Sequence, residues 1–362
     1  MHPAFSVIFL TTLIGVAQGL FLALFTAQSY AAFKLLPQPD AHAFYGQGSF
    51  LALLLLVAGL GASFFHLGHP ERAWRSAAKW RTSWLSREVI VLPAFMGVVF
   101  LYGLAHWLDW HPVLMTLPGG LPVDPSAILG VVGTLLAFAL FVCTAMIYAC
   151  LKFLAEWHSP LTVINYILLG GASGFTLAAA FAAATAPELV GFLAGWAAII
   201  TVLALLGRVA SLYRNARLKP KSTLQTAIGI KHPKIAQKSQ GFMGGSFNTR
   251  EFFHGQPVAV LRGVKWFFLL AVFPLPLLLL LSGMHGGIGP LVAAFGVQYA
   301  GLLAVALREA PTIRLGVPEG RAGIAARMEL TLLGNPPVTI DIRGHAGIRY
   351  DDQDKAFYLE SP

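Results

Sequence analysis

Ser126 to Leu154 reads SAILGVVGTLLAFALFVCTAMIYACLKFL and carries no charge before Lys152. Wound as a helix at about 1.5 Å per residue, such a run crosses the roughly 30 Å hydrocarbon layer of a bilayer. Backbone amides in lipid must be satisfied within the segment, so the run reads as a membrane-spanning helix. Working outward from it, the same signature recurs at Ala4–Phe33, Tyr45–Leu67, Glu88–Trp107, Leu161–Ala184, Leu189–Leu212, Val264–Met284 and Gly287–Ala306. The fold class that follows is an all-α integral membrane protein with eight transmembrane helices, arranged as two four-helix halves. Ser159-Pro160 opens the fifth span as a capping serine followed by proline at the first helical position.

Composition agrees. The 362 residues are 56% hydrophobic and 11% charged, about half the charged fraction usual in soluble domains. The formal charge of +9 does not point to nucleic acid, because the basic residues cluster in loops between spans. Arg72, Arg75, Lys79, Arg81 and Arg87 fill the second-to-third connection, and a longer basic series runs from Arg214 to Arg262 between the sixth and seventh spans. The third-to-fourth and fifth-to-sixth connections hold no Lys or Arg. By the positive-inside rule the basic loops face the cytoplasm, which puts both termini of an eight-span chain there. The first span is expected to be retained, being too long for a cleaved signal. The predicted location is the bacterial inner membrane. Residues 1–306 form the eight-helix anchor domain and 307–362 a polar C-terminal tail, where Thr331–Leu333 and Val338–Ile342 suggest a hairpin.

Cys143 and Cys150 lie about 10 Å apart along one helix, too far for a disulfide. Four-cysteine cluster spacing is absent, and the histidines avoid the middle of every span, so neither an iron–sulfur cluster nor a b-type haem is expected in this chain. Gln18, Asn165 and Gln298 fall inside spans and are expected to bond between helices at about 0.6 kcal/mol each.

The chemistry suggested by the sequence sits at Ser83-Trp84-Leu85-Ser86-Arg87-Glu88, the entrance to the third span, with His66 at the end of the second. Ionisable groups in or beside hydrocarbon are costly and point to function. His66 and Glu88 form a candidate pair of proton acceptors for a quinol. Trp84 is a candidate stacking surface and Arg87 a candidate holder of the carboxylate. The plainer readings are lipid anchoring for Trp84 and Arg87 and a favourable helix-dipole position for Glu88.

These residues also carry a resemblance. His66-Leu67-Gly68 with Pro70 and Arg72-Ala73, Ser83–Glu88, Glu156–Pro160, and Gly241–Gly255 (GFMGGSFNTREFFHG) together resemble the membrane-anchor subunit family of anaerobic dimethyl sulfoxide reductase. The resemblance runs from the first span to about Gly301; Val305–Pro362 departs from the family's aromatic-rich ending. It implies an anchor that binds and oxidises menaquinol and passes electrons to an iron–sulfur partner subunit, which serves a molybdopterin catalytic subunit. It also implies that His66 and Glu88 are the residues linked to the quinol. Anchors of other molybdenum reductases, such as those for polysulfide or tetrathionate, are alternatives within this class. A secondary transporter is the alternative outside it, disfavoured because the charges lie at the rims and not at the bilayer midplane. A passive anchor that binds partner and lipid but no quinol is a third.

Overall fold

A computed structural model describes residues 5–67, 69–117, 121–152, 155–218, 229, 258–309, 328–330, 338–340, 347–351 and 356–360. Eight helical segments long and apolar enough to cross a membrane are present among them. They are α1 (Phe5–Ala32), α2 (Gln47–Ser63), α3 (Trp84–Trp107), α4 (Pro125–Ala149), α5 (Pro160–Thr185), α6 (Val190–Ala216), the broken pair α7 (Val258–Val272) and α8 (Pro274–Gly286), and α9 (Ile288–Glu309). The α7–α8 break falls at Phe273-Pro274, where proline has no amide to continue the ladder. Gly287, at φ 87°, makes the turn into α9, a conformation that costs a glycine little.

The spans belong to one compact unit comprising Ala4–Leu218 and Trp266–Ala306. Within it α1 is central, packing on α2, α4 and α5, while α3 packs on α4 and α2, and α6 on α5. The α1–α5 crossing is made of glycine. A Cβ added at Gly174 would meet the Gly19 carbonyl carbon at 2.2 Å, and one at Gly19 would meet the Gly170 oxygen at 2.3 Å. Helices in lipid gain no hydrophobic drive against one another, so close backbone contact between small residues supplies the attraction. Phe21 fills the centre, edge-on to Phe95 at 5.5 Å and to Tyr102 at 5.2 Å. Leu54, Leu135, Leu206 and Leu278 point outward and are exposed, as expected of a surface whose solvent is lipid.

The three span-embedded amides bond between helices as their positions predict. Gln18 donates to the Ala137 carbonyl at 2.8 Å, Asn165 to Ser211 at 2.7 Å, and Gln298 to Thr201 at 3.3 Å and the Val272 carbonyl at 3.2 Å. Both cysteines are free, but Cys143 is buried and Cys150 exposed. Cys150 is the C-cap residue of α4, while Cys143 lies within the helix.

Several boundaries differ from the sequence reading. The second span tightens after Ser63 into a short turn, Phe64–His66, instead of continuing to Leu67. The third begins at Trp84, where Ser83 accepts from the Ser86 amide as an N-cap, so Glu88 lies a full turn inside the helix. The fourth ends at Ala149 because its carbonyl takes a 2.7 Å hydrogen bond from His158 Nδ1. Two three-residue strands, β1 (Met115–Leu117) and β2 (Leu121–Val123), pair antiparallel between α3 and α4. A second unit comprises residues 1–3, 219–265 and 307–362. In it β3 (Met328–Leu330) pairs with β4 (Val338–Ile340), and β5 (Gly347–Asp351) with β6 (Ala356–Glu360). Of the suggested tail hairpin, Val338–Ile340 is a strand; Thr331–Leu333 lies outside the described residues.

Candidate functional site at the entrance to the third span

The connection from α2 to α3 is folded by its own hydrogen bonds. Residues Pro70–Lys79 form a 3₁₀ helix. Ser86, in the first turn of α3, donates to the Ser76 carbonyl at 2.5 Å and ties that helix to the membrane span. Trp74 and Trp80 remain largely exposed, each with an arginine over its ring, which suits an interfacial segment.

Arg87 turns back onto this loop. Its Nε donates to the Trp80 carbonyl and its Nη2 to the Arg81 carbonyl, each at 2.9 Å, and the guanidinium lies 4.1 Å from the centre of the Trp84 ring. It does not hold the carboxylate. Arg87 braces the loop and covers one face of Trp84, which leaves Trp84 a single face for any other ring.

Glu88 points the other way, into the bundle. It is 6% exposed, and the Thr144 hydroxyl of α4 donates to its Oε1 at 2.5 Å. Among the described residues no cation lies within ion-pair distance of it. Cys143, also buried, precedes Thr144 on the same helix. Thr144 was not evident from the sequence; its one signal is a hydroxyl in an otherwise apolar stretch of α4. His66 ends the short turn after α2, but its side chain lies outside the described residues, so the His66–Glu88 juxtaposition rests on the sequence.

The turn between α4 and α5 lies at the same end of the bundle. Arg214, at the end of α6, donates to the carbonyls of Ala155 (3.0 Å), His158 (3.2 Å) and Glu156 (3.5 Å). The Glu156-Trp157-His158 group is therefore held through its backbone. Trp157 stands edge-on to Tyr148 at 5.2 Å.

The opposite end of the bundle holds a polar group that sequence reasoning missed. Tyr102 donates to Gln28 Oε1 at 2.7 Å, Gln28 Nε2 to Ser126 Oγ at 2.6 Å, and Ser126 to the Asp124 carboxylate at 2.9 Å. His111 Nδ1 closes the chain on Asp124 Oδ2 at 2.6 Å. Burial works against the Asp124 charge, but the Ala127 amide and the bonds from His111 and Ser126 outweigh it and hold the carboxyl below its usual range. The residues come from α1, α3, α4 and a loop, and no local pattern announces such a set.

A bundle of eight apolar spans, with a buried carboxylate at the basic-loop end, is a multi-pass membrane protein. Comparison with known proteins identifies the class. The sequence profile of the DMSO reductase anchor subunit (DmsC) family matches residues 1–233. Over 304 residues the chain is 59% identical to a sulfite dehydrogenase subunit of Allochromatium vinosum, covering 84% of this chain and 93% of that relative. The chain belongs to the DMSO reductase anchor subunit family, and is thus a multi-pass membrane anchor of a molybdopterin oxidoreductase. The Gly241–Gly255 stretch lies beyond the profile match and outside the described residues.

Proposed function

We propose that this anchor exchanges electrons and protons between a quinone pool and a docked redox partner, with the ring bound beside Glu88. The observation that carries this reading is the buried Glu88 carboxylate with Thr144 as its hydroxyl partner. A carboxylate so placed, short of partners for its remaining lone pairs, suits proton exchange with a ring hydroxyl. His66 is the second proton group in this scheme. Trp84, backed by Arg87, forms the rim of the site.

The partners are an iron–sulfur electron-transfer subunit and a molybdopterin catalytic subunit, and the ring is menaquinol or its oxidised form. Electrons pass between the ring and the nearest cluster of the partner, and the catalytic subunit sets the terminal substrate. The sequence reading favoured dimethyl sulfoxide reduction driven by menaquinol. The identity to a sulfite dehydrogenase subunit favours the reverse direction: the partner oxidises sulfite, and the anchor delivers two electrons and two protons to the quinone to form quinol. Glu88 then gives its proton to the ring oxygen and is reprotonated from the basic-loop side, the cytoplasmic side by charge. The setting is the bacterial inner membrane with both termini cytoplasmic.

The test uses membranes carrying the assembled complex. Glu88→Gln and His66→Ala are expected to abolish turnover with a short-chain naphthoquinone or naphthoquinol, while the partner subunits stay membrane-bound. Undiminished turnover in both variants removes these residues from the mechanism. Turnover with sulfite as donor and none with dimethyl sulfoxide as acceptor supports the dehydrogenase direction; the opposite result restores the reductase reading.

A further inference from the structure

The α2–α3 connection carries charges and rings that the Glu88 site does not use. Between Phe64 and Arg87 the one acidic residue, Glu71, stands among Arg72, Arg75, Lys79, Arg81 and Arg87. Its carboxylate is already shared by His69 at 3.1 Å and Arg72 at 3.6 Å. Arg87 is engaged with the loop carbonyls. Arg75, Lys79 and Arg81 are exposed, and none of them meets a carboxylate among the described residues.

The winding of Pro70–Lys79 sorts these side chains. A 3₁₀ helix turns about 120° per residue, so residues three apart stand above one another. Trp74, Ala77 and, at the C-cap, Trp80 therefore share one edge, and Arg72, Arg75 and Ala78 the next. At the roughly 100° per residue of an α-helix, Trp74 and Trp80 would diverge by about 120°. The third edge includes Ala73 and Ser76, which are half-buried; here the Ser76 carbonyl takes the bond from Ser86 of α3. Trp74 and Trp80 are exposed, with Arg75 and Arg81 over their rings. Phe65, in the turn before this helix, is 89% exposed.

We propose that this surface binds anionic phospholipid of the leaflet at the basic-loop rim. Phosphodiester groups seat against Arg75 and Arg81, with Arg72 beside them, and the acyl chains lie against Phe65, Trp74 and Trp80. Charge selects the headgroup, because a basic edge without carboxylates attracts an anionic lipid and gains little from a zwitterionic one. A guanidinium over an indole can still take phosphate oxygens along its N–H edge. The rings select a lipid over an acidic protein surface: indoles sit at headgroup level in a bilayer, and an exposed phenylalanine beside them calls for hydrocarbon. The Ser76–Ser86 bond ties the lipid-bearing helix to α3. None of this rests on the Glu88 reading.

The experiment is photolabelling of the assembled complex in phosphatidylcholine vesicles, followed by peptide mapping. A trace of photoreactive phosphatidylglycerol is compared with photoreactive phosphatidylcholine at equal mole fraction. Label on residues 64–85 is expected to be about tenfold or more higher from phosphatidylglycerol, as two arginines near an anionic headgroup predict. Added salt should lower that preference. The pair Arg75→Gln and Arg81→Gln, both at exposed positions, should bring it within about twofold of parity. Arg75→Lys with Arg81→Lys should keep most of it, because both charges remain. Equal label from the two lipids overturns the proposal, as does a preference that the glutamine variant retains. A carbodiimide cross-link from Lys79 to an acidic residue of a partner subunit would assign the surface to protein and also overturn it.

Discussion

The two ends of α3 each hold a buried or half-buried carboxylate close to the membrane rim, and they are provisioned differently. Asp124 caps α4 and is surrounded by an amide, a hydroxyl and an imidazole. Glu88 has Thr144, and the adjacent arginine is engaged with two loop carbonyls and a tryptophan face. A carboxylate with a full set of donors is held ionised and serves the fold. One with a single hydroxyl has lone pairs to spare for a substrate proton. On the proposed function, partner count, more than burial or proximity to a helix start, is what separates the proton-exchanging carboxylate from the structural one.

The largest expected effect is at Glu88. Glu88→Gln keeps the shape and the Thr144 contact but removes the proton-exchanging group, so quinone-dependent turnover of the complex should fall by roughly 100-fold or more. Asp124→Asn, in the same assay, should leave more than half the wild-type rate. Comparable losses in both variants would break the contrast between the two ends. Thr144→Val sharpens it: loss of one short hydrogen bond to Glu88 should lower turnover about tenfold without releasing the partner subunits. An unchanged rate would mean that Thr144 only packs.

At the other end the effect should be one of stability. Asp124→Ala removes the cap of α4 and the His111 bond, and should cost about 1–2 kcal/mol, read as a lower melting temperature in detergent. The pH dependence has a definite sign. Because the folded carboxyl titrates below its ordinary value, its contribution is present above the unfolded pKa of about 4 and is lost as pH falls through the folded one. The gap in melting temperature between wild type and Asp124→Asn should therefore close on acidification below about pH 4. A gap that widens there would contradict the assigned shell. The smallest effect belongs to Arg87→Ala, which frees the Trp80 and Arg81 carbonyls at a wet surface. It should change melting by no more than about 1 kcal/mol in equivalent stability and turnover by less than Thr144→Val does.

Much of this architecture was readable from hydropathy, because a lipid solvent permits few structures and each span announces itself by length. Ser159 as the cap of α5, Glu88 as a carboxylate near a helix entrance and the three span-embedded amides follow from local sequence. Thr144 does not, since its meeting with Glu88 depends on the register between α3 and α4. The polar chain at the other end was still harder to see, because Gln28, Tyr102, His111 and Asp124 come from separate elements. The β1–β2 hairpin was missed because three-residue strands carry too little periodicity to register. Arg87 was misread for a related reason. Its neighbour in sequence is a glutamate, but successive helical residues do not face one another, and the guanidinium went to the loop.

The central claim is that a quinone ring binds at Glu88. Its most direct test is a titration of the purified complex with a short-chain naphthoquinone, following tryptophan fluorescence in wild type, Trp84→Phe and Glu88→Gln. Saturable quenching in wild type, reduced in Trp84→Phe and weakened at least about tenfold in Glu88→Gln, is the predicted result. Identical binding curves for all three proteins would contradict it.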